Sequence, residues 1–156
     1  NTGERKVPHM PEKLTHTINK HGILVFHAEG DTARGREEWH QEAFTRWARL
    51  NQSRIPQLEL YYHTPNGGRR DKKTAARLVG QGVKKGVPDI FIPAQGKGMP
   101  GIYIELKVYG NYADKEQNEF LRAVKEQGYY ACICYGWRAA AEVVDIFYTR
   151  PNDLIS

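Results

Sequence analysis

Residues 101–108 read Gly-Ile-Tyr-Ile-Glu-Leu-Lys-Val, and this alternation is typical of a half-buried β-strand. Side chains two residues apart share one face of a strand, so Glu105 and Lys107 point to the same side, away from the aliphatic residues between them. A carboxylate and an ammonium group on one face suit a metal ion and an attacking water. The same pair would also fit an ion pair across a sheet, without chemistry.

A second acid precedes this strand at the start of another apolar run. Asp89 follows Pro88 and opens the run Ile-Phe-Ile-Pro at 90–93, and the glycine-rich loop 96–101 suits a hairpin between the two strands. Asp89 could be only a turn or cap residue after proline. Together with Glu105, sixteen residues further on, and Lys107, it can instead build a divalent-metal site for phosphodiester hydrolysis.

The other periodic segments predict an α/β fold, with helices flanking a small mixed sheet. Asp114 is a good N-cap for one helix, because Gln117 occupies the capping-box position three residues later. In chain order we predict a helix over 36–50, strands over 58–63, near Asp89 and near Glu105, a helix over 115–127, a strand over 130–135 and a helix over 139–148, with a short helix over 74–78 before Asp89.

The first predicted helix carries both an apolar stripe and acids. The acids Glu37 and Glu38 lie in its first turn, where acids often only complement the helix dipole. Glu37 lies closer to the apolar side than Glu38 does. The stripe recurs at three- and four-residue spacing, at Trp39, Ala43, Trp47 and Leu50.

A chain of 156 residues is expected to form one domain, which we place at residues 36–150. Residues 1–35 are polar and interrupted by proline and glycine, which predicts a weakly ordered N-terminal segment. Within it, the apolar patch 23–26 could pair as an edge strand or pack against a partner. Residues 151–156 begin with proline and are expected to form a tail.

Basic residues concentrate just before the predicted acidic site. The whole chain carries +5, yet residues 66–85 contain seven basic residues and a single acid, Asp71. This suggests a polyanion held close to the chemistry, although a solvated lysine-rich surface is also common. The loop 65–68 could equally be a plain turn. The residues expected to contact DNA are Asn66, Gly67, Arg69, Arg70, Lys72, Lys73, Lys84 and Lys85.

Composition narrows the class of protein further. Hydrophobic residues make up 40% and charged residues 26%, which is ordinary for a soluble globular protein, and no stretch approaches the length of a membrane span. We therefore expect no membrane partner. Two cysteines form neither a disulfide framework nor a zinc site, which favours a reducing, cytoplasmic setting.

The motifs together resemble the PD-(D/E)xK nuclease superfamily and, within it, the VRR-NUC family (virus-type replication-repair nucleases). The short chain is similar to stand-alone phage and bacterial members, which would place it in a bacterium or a phage-infected host cell. The resemblance runs from residue 36 to about 148. It rests on Glu37 with Gln41, on 65–68, on Gly82 to Asp89, on Ile104 to Lys107, and on Gln117.

This resemblance implies a restriction-endonuclease-like αβββαβ core, DNA cleavage with Mg2+ or Mn2+ and, for stand-alone members, homodimers that cut branched DNA such as four-way junctions. Asp89, Glu105 and Glu37 would bind the metal with the backbone carbonyl of Leu106, and Lys107 would be the active-site lysine. Glu38 is the alternative helix acid if the register slips by one.

Gln117 has two possible roles, since it could only cap its helix or also point into the site. The leading hypothesis for the whole chain is a Mg2+-dependent, structure-selective DNA endonuclease. The alternatives are a restriction-type or exonucleolytic DNA nuclease and, from another class, a catalytically silent DNA-binding module. The presence of every required acid argues against the silent module.

Overall fold

A six-stranded mixed sheet runs through the computed structural model, which describes residues 13–65 and 71–150. Its strand order is β1-β2-β6-β5-β4-β3. The strands are β1 (Leu14–Ile18), β2 (Leu24–Ala28), β3 (Tyr62–His63), β4 (Ile90–Ile92), β5 (Ile102–Lys107) and β6 (Tyr130–Tyr135).

Strand direction distinguishes the parallel centre of the sheet from its antiparallel edges. The central strands β2, β6 and β5 are parallel, while β1 is antiparallel to β2, and β4 is antiparallel to both β5 and β3. Parallel neighbours require a crossover, which a helix between β5 and β6 supplies. The antiparallel β4–β5 pair is the hairpin that the sequence predicted.

Helices cover both faces of the sheet. The helices are α1 (Glu37–Leu50), α2 (Lys72–Gly80), α3 (Lys115–Glu126) and α4 (Trp137–Thr149), and a short 3-10 helix spans Pro56–Leu60. The main core lies between one face and α1 with α4, whereas a smaller core lies under α3. The predicted α/β class with helices flanking a mixed sheet is confirmed. No helix within the described ranges combines the length and hydropathy needed to cross a membrane.

The predicted division of β5 into two faces is confirmed. Ile102, Ile104 and Leu106 are buried in the main core beneath α1 and α4. Tyr103 lies on the opposite face, where its ring stacks on Phe91 with centroids 4.0 Å apart. Glu105 and Lys107, two and four residues after Tyr103, share its face. Glu105 contacts Gln117 of α3, and Lys107 lies near Glu37 of α1.

The predicted weak order of residues 1–35 is wrong for the part that the structure describes. There β1 and β2 form a hairpin, and β2 is an interior strand whose second neighbour is β6. The patch 23–26 is buried, so pairing with β6 and burial of apolar side chains outweigh the polar flanks. Residues 1–12 and the predicted tail 151–156 lie outside the described residues.

Two local predictions also differ from the structure. The first half of the predicted strand 58–63 belongs to the 3-10 helix Pro56–Leu60, because Pro56 occupies the first turn of that helix. Only Tyr62 and His63 pair with β4. On α1 the buried side is rotated from the predicted stripe, since Trp39 and Leu50 are exposed while His40 is buried. The His40 ring is satisfied there by the carbonyl of Arg34 and the N–H of Trp137.

Candidate active site

The loop before β4 lies directly against the first turn of α3. Gly86 has φ +83°, and a Cβ at this position would lie 2.6 Å from the backbone carbon of Glu116. Only glycine combines this conformation with so close an approach. Gly86 thereby lets the chain pass close to the first turn of α3 just before Pro88 and Asp89.

Asp89 lies at the start of β4 and is held through both its backbone and its carboxylate. Its carbonyl accepts hydrogen bonds from the N–H of Thr64 at 3.1 Å and from Nδ1 of His63 at 2.8 Å. Its Oδ2 accepts from the N–H of Leu106 at 2.9 Å. Since Ile90 pairs with Ile104, extending that register by one residue places Asp89 opposite Glu105.

Glu105 is buried, with 1% of its surface exposed. Its Oε1 accepts a hydrogen bond from Nε2 of Gln117 at 2.9 Å and lies 3.3 Å from Nζ of Lys107. No donor among the described residues reaches its Oε2, although that atom is buried. A buried carboxylate oxygen without a donor is costly and is the kind of atom that a cation would satisfy.

Lys107 links the strand to α1. Its Nζ lies 3.5 Å from Oε1 of Glu37, the first residue of that helix, and the lysine is 8% exposed. Glu37 is therefore the acid that reaches the site, while its neighbour Glu38 is exposed. Of these two neighbouring acids, Glu37 is the one whose carboxylate lies near those of Asp89 and Glu105.

Among residues 13–65 and 71–150, carboxylate oxygens of Glu37, Asp89 and Glu105 lie within 4.8 Å of one another. They open into a cleft of about 570 Å³, hereafter the acidic cleft. Oxygen ligands at this spacing fit a divalent cation such as Mg2+, which commonly binds through a few carboxylates. The cleft is lined by Glu37, Glu38, Gln41, Glu42, His63, Pro65, Asp89, Glu105, Leu106, Lys107 and Gln117.

Electrostatics in the acidic cleft are dominated by the close spacing of its carboxylates. Burial, followed by the charge of Asp89, raises the pKa of Glu105 to about 9, against the opposing effect of Lys107. Burial alone would lower the pKa of Lys107, but the charges of Glu105 and Glu37 outweigh it and raise that pKa. The lysine is thus a cation at neutral pH.

Gln117 combines the two roles that the sequence left open. Its Oε1 accepts from the N–H of Asp114, which completes the capping box of α3. Its Nε2 meanwhile donates to Glu105. One side chain therefore both starts the helix and contacts the buried carboxylate.

The other predicted site residues fall into three groups: one that lines the acidic cleft, some that do not, and some outside the described residues. Leu106 lines the cleft and contributes its N–H to Asp89. Lys72, Lys73, Lys84 and Lys85 are exposed and do not line the acidic cleft. Asn66, Gly67, Arg69 and Arg70 lie outside the described residues.

Two residues of the cleft have roles that the sequence did not predict. His63, which is exposed, donates from its Nδ1 to the backbone carbonyl of Asp89. Gln41 donates to Oη of Tyr61 at 2.6 Å, while its buried Oε1 has no donor among the described residues. The 16-residue offset of Asp89 and Glu105 is visible in sequence, whereas these two contacts depend on how α1 and β3 meet the sheet.

A helix acid, an aspartate opposite a buried glutamate, and a lysine two residues later are arranged here as in nucleases of the PD-(D/E)xK type. The model of the VRR-NUC domain family matches residues 35–137. The chain belongs to this family, and its class is therefore that of a nuclease.

A solved structure supports the same classification. A protein described as a VRR_NUC domain protein superposes on this chain with a TM-score of 0.63 and 25% sequence identity, over 73% of this chain and 89% of the other. No curated protein matches the chain.

Proposed function

We propose that this nuclease is a Mg2+-dependent DNA endonuclease that hydrolyses phosphodiester bonds. The observation that carries the proposal is the convergence of Glu37, Asp89 and Glu105 on one cleft, with a buried oxygen of Glu105 that lacks a donor. A buried carboxylate oxygen without a donor destabilises a fold, so its presence in Glu105 favours a function that needs it.

Asp89 and Glu105 are the proposed metal ligands, with Glu37 acting directly or through water and the carbonyl of Leu106 as a further ligand. When bound, Mg2+ would supply positive charge that neutralises the phosphodiester and favours activation of the attacking water. Mn2+ takes similar oxygen ligands and should substitute for it.

Lys107 is proposed to orient the attacking water and to stabilise the charge that grows on the phosphate. Its raised pKa supports this role over that of a general base, because a general base must be unprotonated. The contacts to Glu37 and Glu105 hold its ammonium group in the cleft. Gln117 is a proposed positioning residue, since its amide holds one oxygen of Glu105.

We further propose that the preferred DNA is branched, such as a four-way junction, and that the chain acts as a homodimer. The support is the likeness to stand-alone family members, together with symmetry. Paired cuts in a symmetric junction require two active sites, and a two-fold dimer is the simplest way to supply them. The exposed lysines at 72, 73, 84 and 85 would add phosphate contacts.

The test is a cleavage panel of linear duplex, circular duplex, single strand, flap, fork and four-way junction. Each substrate is incubated with Mg2+, Mn2+ or a chelator. We expect cleavage only with a divalent cation, activity on circular DNA, and symmetric nicks in the junction. Activity confined to DNA ends would support the exonucleolytic alternative instead, and binding without cleavage on every substrate would support the silent module.

A further inference from the structure

A second concavity lies on the α3 face of the sheet, beside the acidic cleft. This aromatic groove, as we call it, has a volume of about 1000 Å³. It runs between the β1–β2 hairpin and the loop that connects β5 to α3. Aromatic and basic side chains on its lining are His21, His27, Tyr109, Tyr112, Tyr135, Lys20 and Lys115.

The aromatic groove and the acidic cleft share a boundary. On α3, Gln117 lines the cleft, whereas Lys115 and Asn118 line the groove. On the sheet, Lys107 of the cleft pairs in register with Tyr135 of the groove. A strand whose phosphate lies in the cleft could therefore continue directly into the groove.

Aromatic rings make up much of this surface. His27 and Tyr135 stack with centroids 4.7 Å apart and planes at 10°. Burial lowers the pKa of His27, so this stack is uncharged at neutral pH. Tyr109 and Tyr112 are 65% and 81% exposed, so much of each side chain is accessible to a ligand.

Charge distinguishes the groove from the cleft. None of the residues lining the groove in the described part of the chain is acidic, and Lys20 and Lys115 are both exposed. Lys115 makes only a solvent-exposed pair with Glu119 at 3.9 Å, which leaves its charge available. Outside the lining, the guanidinium of Arg34 lies 4.5 Å above the ring of Tyr109.

We propose that the aromatic groove binds unpaired nucleotides of the DNA strand that enters the acidic cleft. Exposed rings offer stacking surfaces to bases, and nearby lysines attract phosphates, which is the combination that binds single strands without sequence preference. Bases inside a duplex are already stacked, so only an unpaired segment can use these rings. This inference rests on the proposed function and specifies the part of a branched substrate that the chain recognises.

The test measures binding separately from cleavage. The probe is a fluorescent thymidine oligonucleotide of about 12 nucleotides, titrated by anisotropy in chelator with the full-length chain. We expect the double variant Tyr109→Ala/Tyr112→Ala to bind about 10-fold more weakly or worse, because it removes two stacking surfaces. Tyr112→Phe, which keeps the ring, should bind like the wild type.

Leu50→Ala is the matched control, because Leu50 is also 81% exposed but lies at the end of α1, away from the groove. Unchanged melting temperatures would show that all variants fold. The inference is overturned if the wild type does not bind the oligonucleotide, if the double variant binds as well as the wild type, or if Leu50→Ala loses as much affinity.

A cleavage comparison separates this inference from the proposed function. With Mg2+, the double variant should lose activity on a forked duplex while retaining it on a blunt duplex. If no DNA is cut by the wild type but the oligonucleotide results hold, the proposed function fails and the binding groove stands. If both duplexes are cut equally by the double variant and the wild type, the nuclease stands and the groove inference is overturned.

Discussion

The acidic cleft and the aromatic groove lie on either side of the first turn of α3, but they differ in charge and in burial. The cleft places charged groups in the interior, where Glu105 is 1% and Lys107 is 8% exposed. The groove instead exposes uncharged rings to solvent, with Tyr112 at 81%. Buried charges cost stability unless a counterion or partner compensates them, whereas exposed rings cost little.

This difference indicates a division of labour along one substrate strand. The cleft is suited to a cation and a phosphate at which bonds are broken, and the groove is suited to the neighbouring bases. If that is correct, substitutions in the cleft should change cleavage and leave oligonucleotide binding unaltered. Substitutions in the groove should weaken oligonucleotide binding and reduce cleavage of forked DNA, while cleavage of blunt duplex DNA is retained.

Asp89→Asn tests the cleft most severely. An amide can still accept the hydrogen bond from the N–H of Leu106 but is a poor ligand for Mg2+, so cleavage should fall at least about 100-fold. Binding of the thymidine oligonucleotide in chelator should not change. Full cleavage at saturating Mg2+ would remove Asp89 from the proposed ligands.

Glu37→Gln, compared with Glu38→Gln, separates the two neighbouring acids of α1. Glu37 contacts Lys107 at 3.5 Å, so its neutralisation should slow cleavage about 10- to 100-fold. Glu38 is exposed and outside the carboxylate cluster, so its variant should stay within about 2-fold of the wild type. Single-turnover rates at saturating Mg2+ are the measurement, and the opposite ranking would move the assignment to Glu38.

Gln117→Glu separates the helix-capping role of Gln117 from its contact with Glu105. The new side chain can still accept from the N–H of Asp114, but it replaces the donor to Glu105 with a second carboxylate. Cleavage should fall about 10-fold or more with little change in melting temperature. Gln52→Glu adds the same charge at an exposed site and should change neither quantity. A drop in melting temperature alone would indicate that Gln117 only caps α3.

Duplex binding should depend on the basic residues at 66–85 rather than on the aromatic groove. Replacing Arg69 and Arg70 by alanine should weaken duplex binding and reduce its logarithmic salt slope by about 2, one for each lost phosphate contact. Oligonucleotide binding should be unaffected. Arg122→Ala, at an exposed position of α3, should leave the salt slopes of duplex binding and of oligonucleotide binding unchanged. An unaltered duplex slope in the double variant would exclude these arginines from the phosphate contacts.

The smallest expected effect concerns stability. Because the folded state raises the pKa of Glu105 from about 4.5 to about 9, the metal-free protein holds a proton that the unfolded chain releases. Its stability should therefore fall as pH rises between these values. Glu105→Gln removes this titration and its amide can donate to Asp89. In chelator at pH 8, the variant should melt at least about 2–4 °C higher than the wild type.

Mg2+ supplies the control for that measurement. It should raise the melting temperature of the wild type, because it binds the folded state, and should have a smaller effect on Glu105→Gln. A variant that melts below the wild type at pH 8 in chelator would show that the buried carboxylate does not destabilise the metal-free site.

Local sequence predicted the centre of the cleft but not its surroundings. Asp89, Glu105 and Lys107 lie on one hairpin, whose alternation and glycine-rich loop determine which side chains share a face. The aromatic and alternating residues at 58–63 predict a strand, but Pro56 begins a 3-10 helix that extends to Leu60 and leaves only Tyr62 and His63 to pair with β4. The buried His40 could not be predicted, since its partners lie on other segments.

By itself the sequence determined the α/β class, the Asp89–Glu105–Lys107 hairpin and the capping box of α3, because each depends on residues close together in the chain. Only the tertiary structure selected Glu37 over Glu38, aimed Gln117 at Glu105 and made the polar N-terminal region a β-hairpin in the sheet. The contact of Glu37 with Lys107 and the pairing of β2 with β6 join segments about 70 and about 110 residues apart, and the contact of Gln117 with Glu105 joins a helix to a strand 12 residues away. Local periodicity encodes none of these contacts. The aromatic groove arises in the same way, where β2, β6 and the loop before α3 meet.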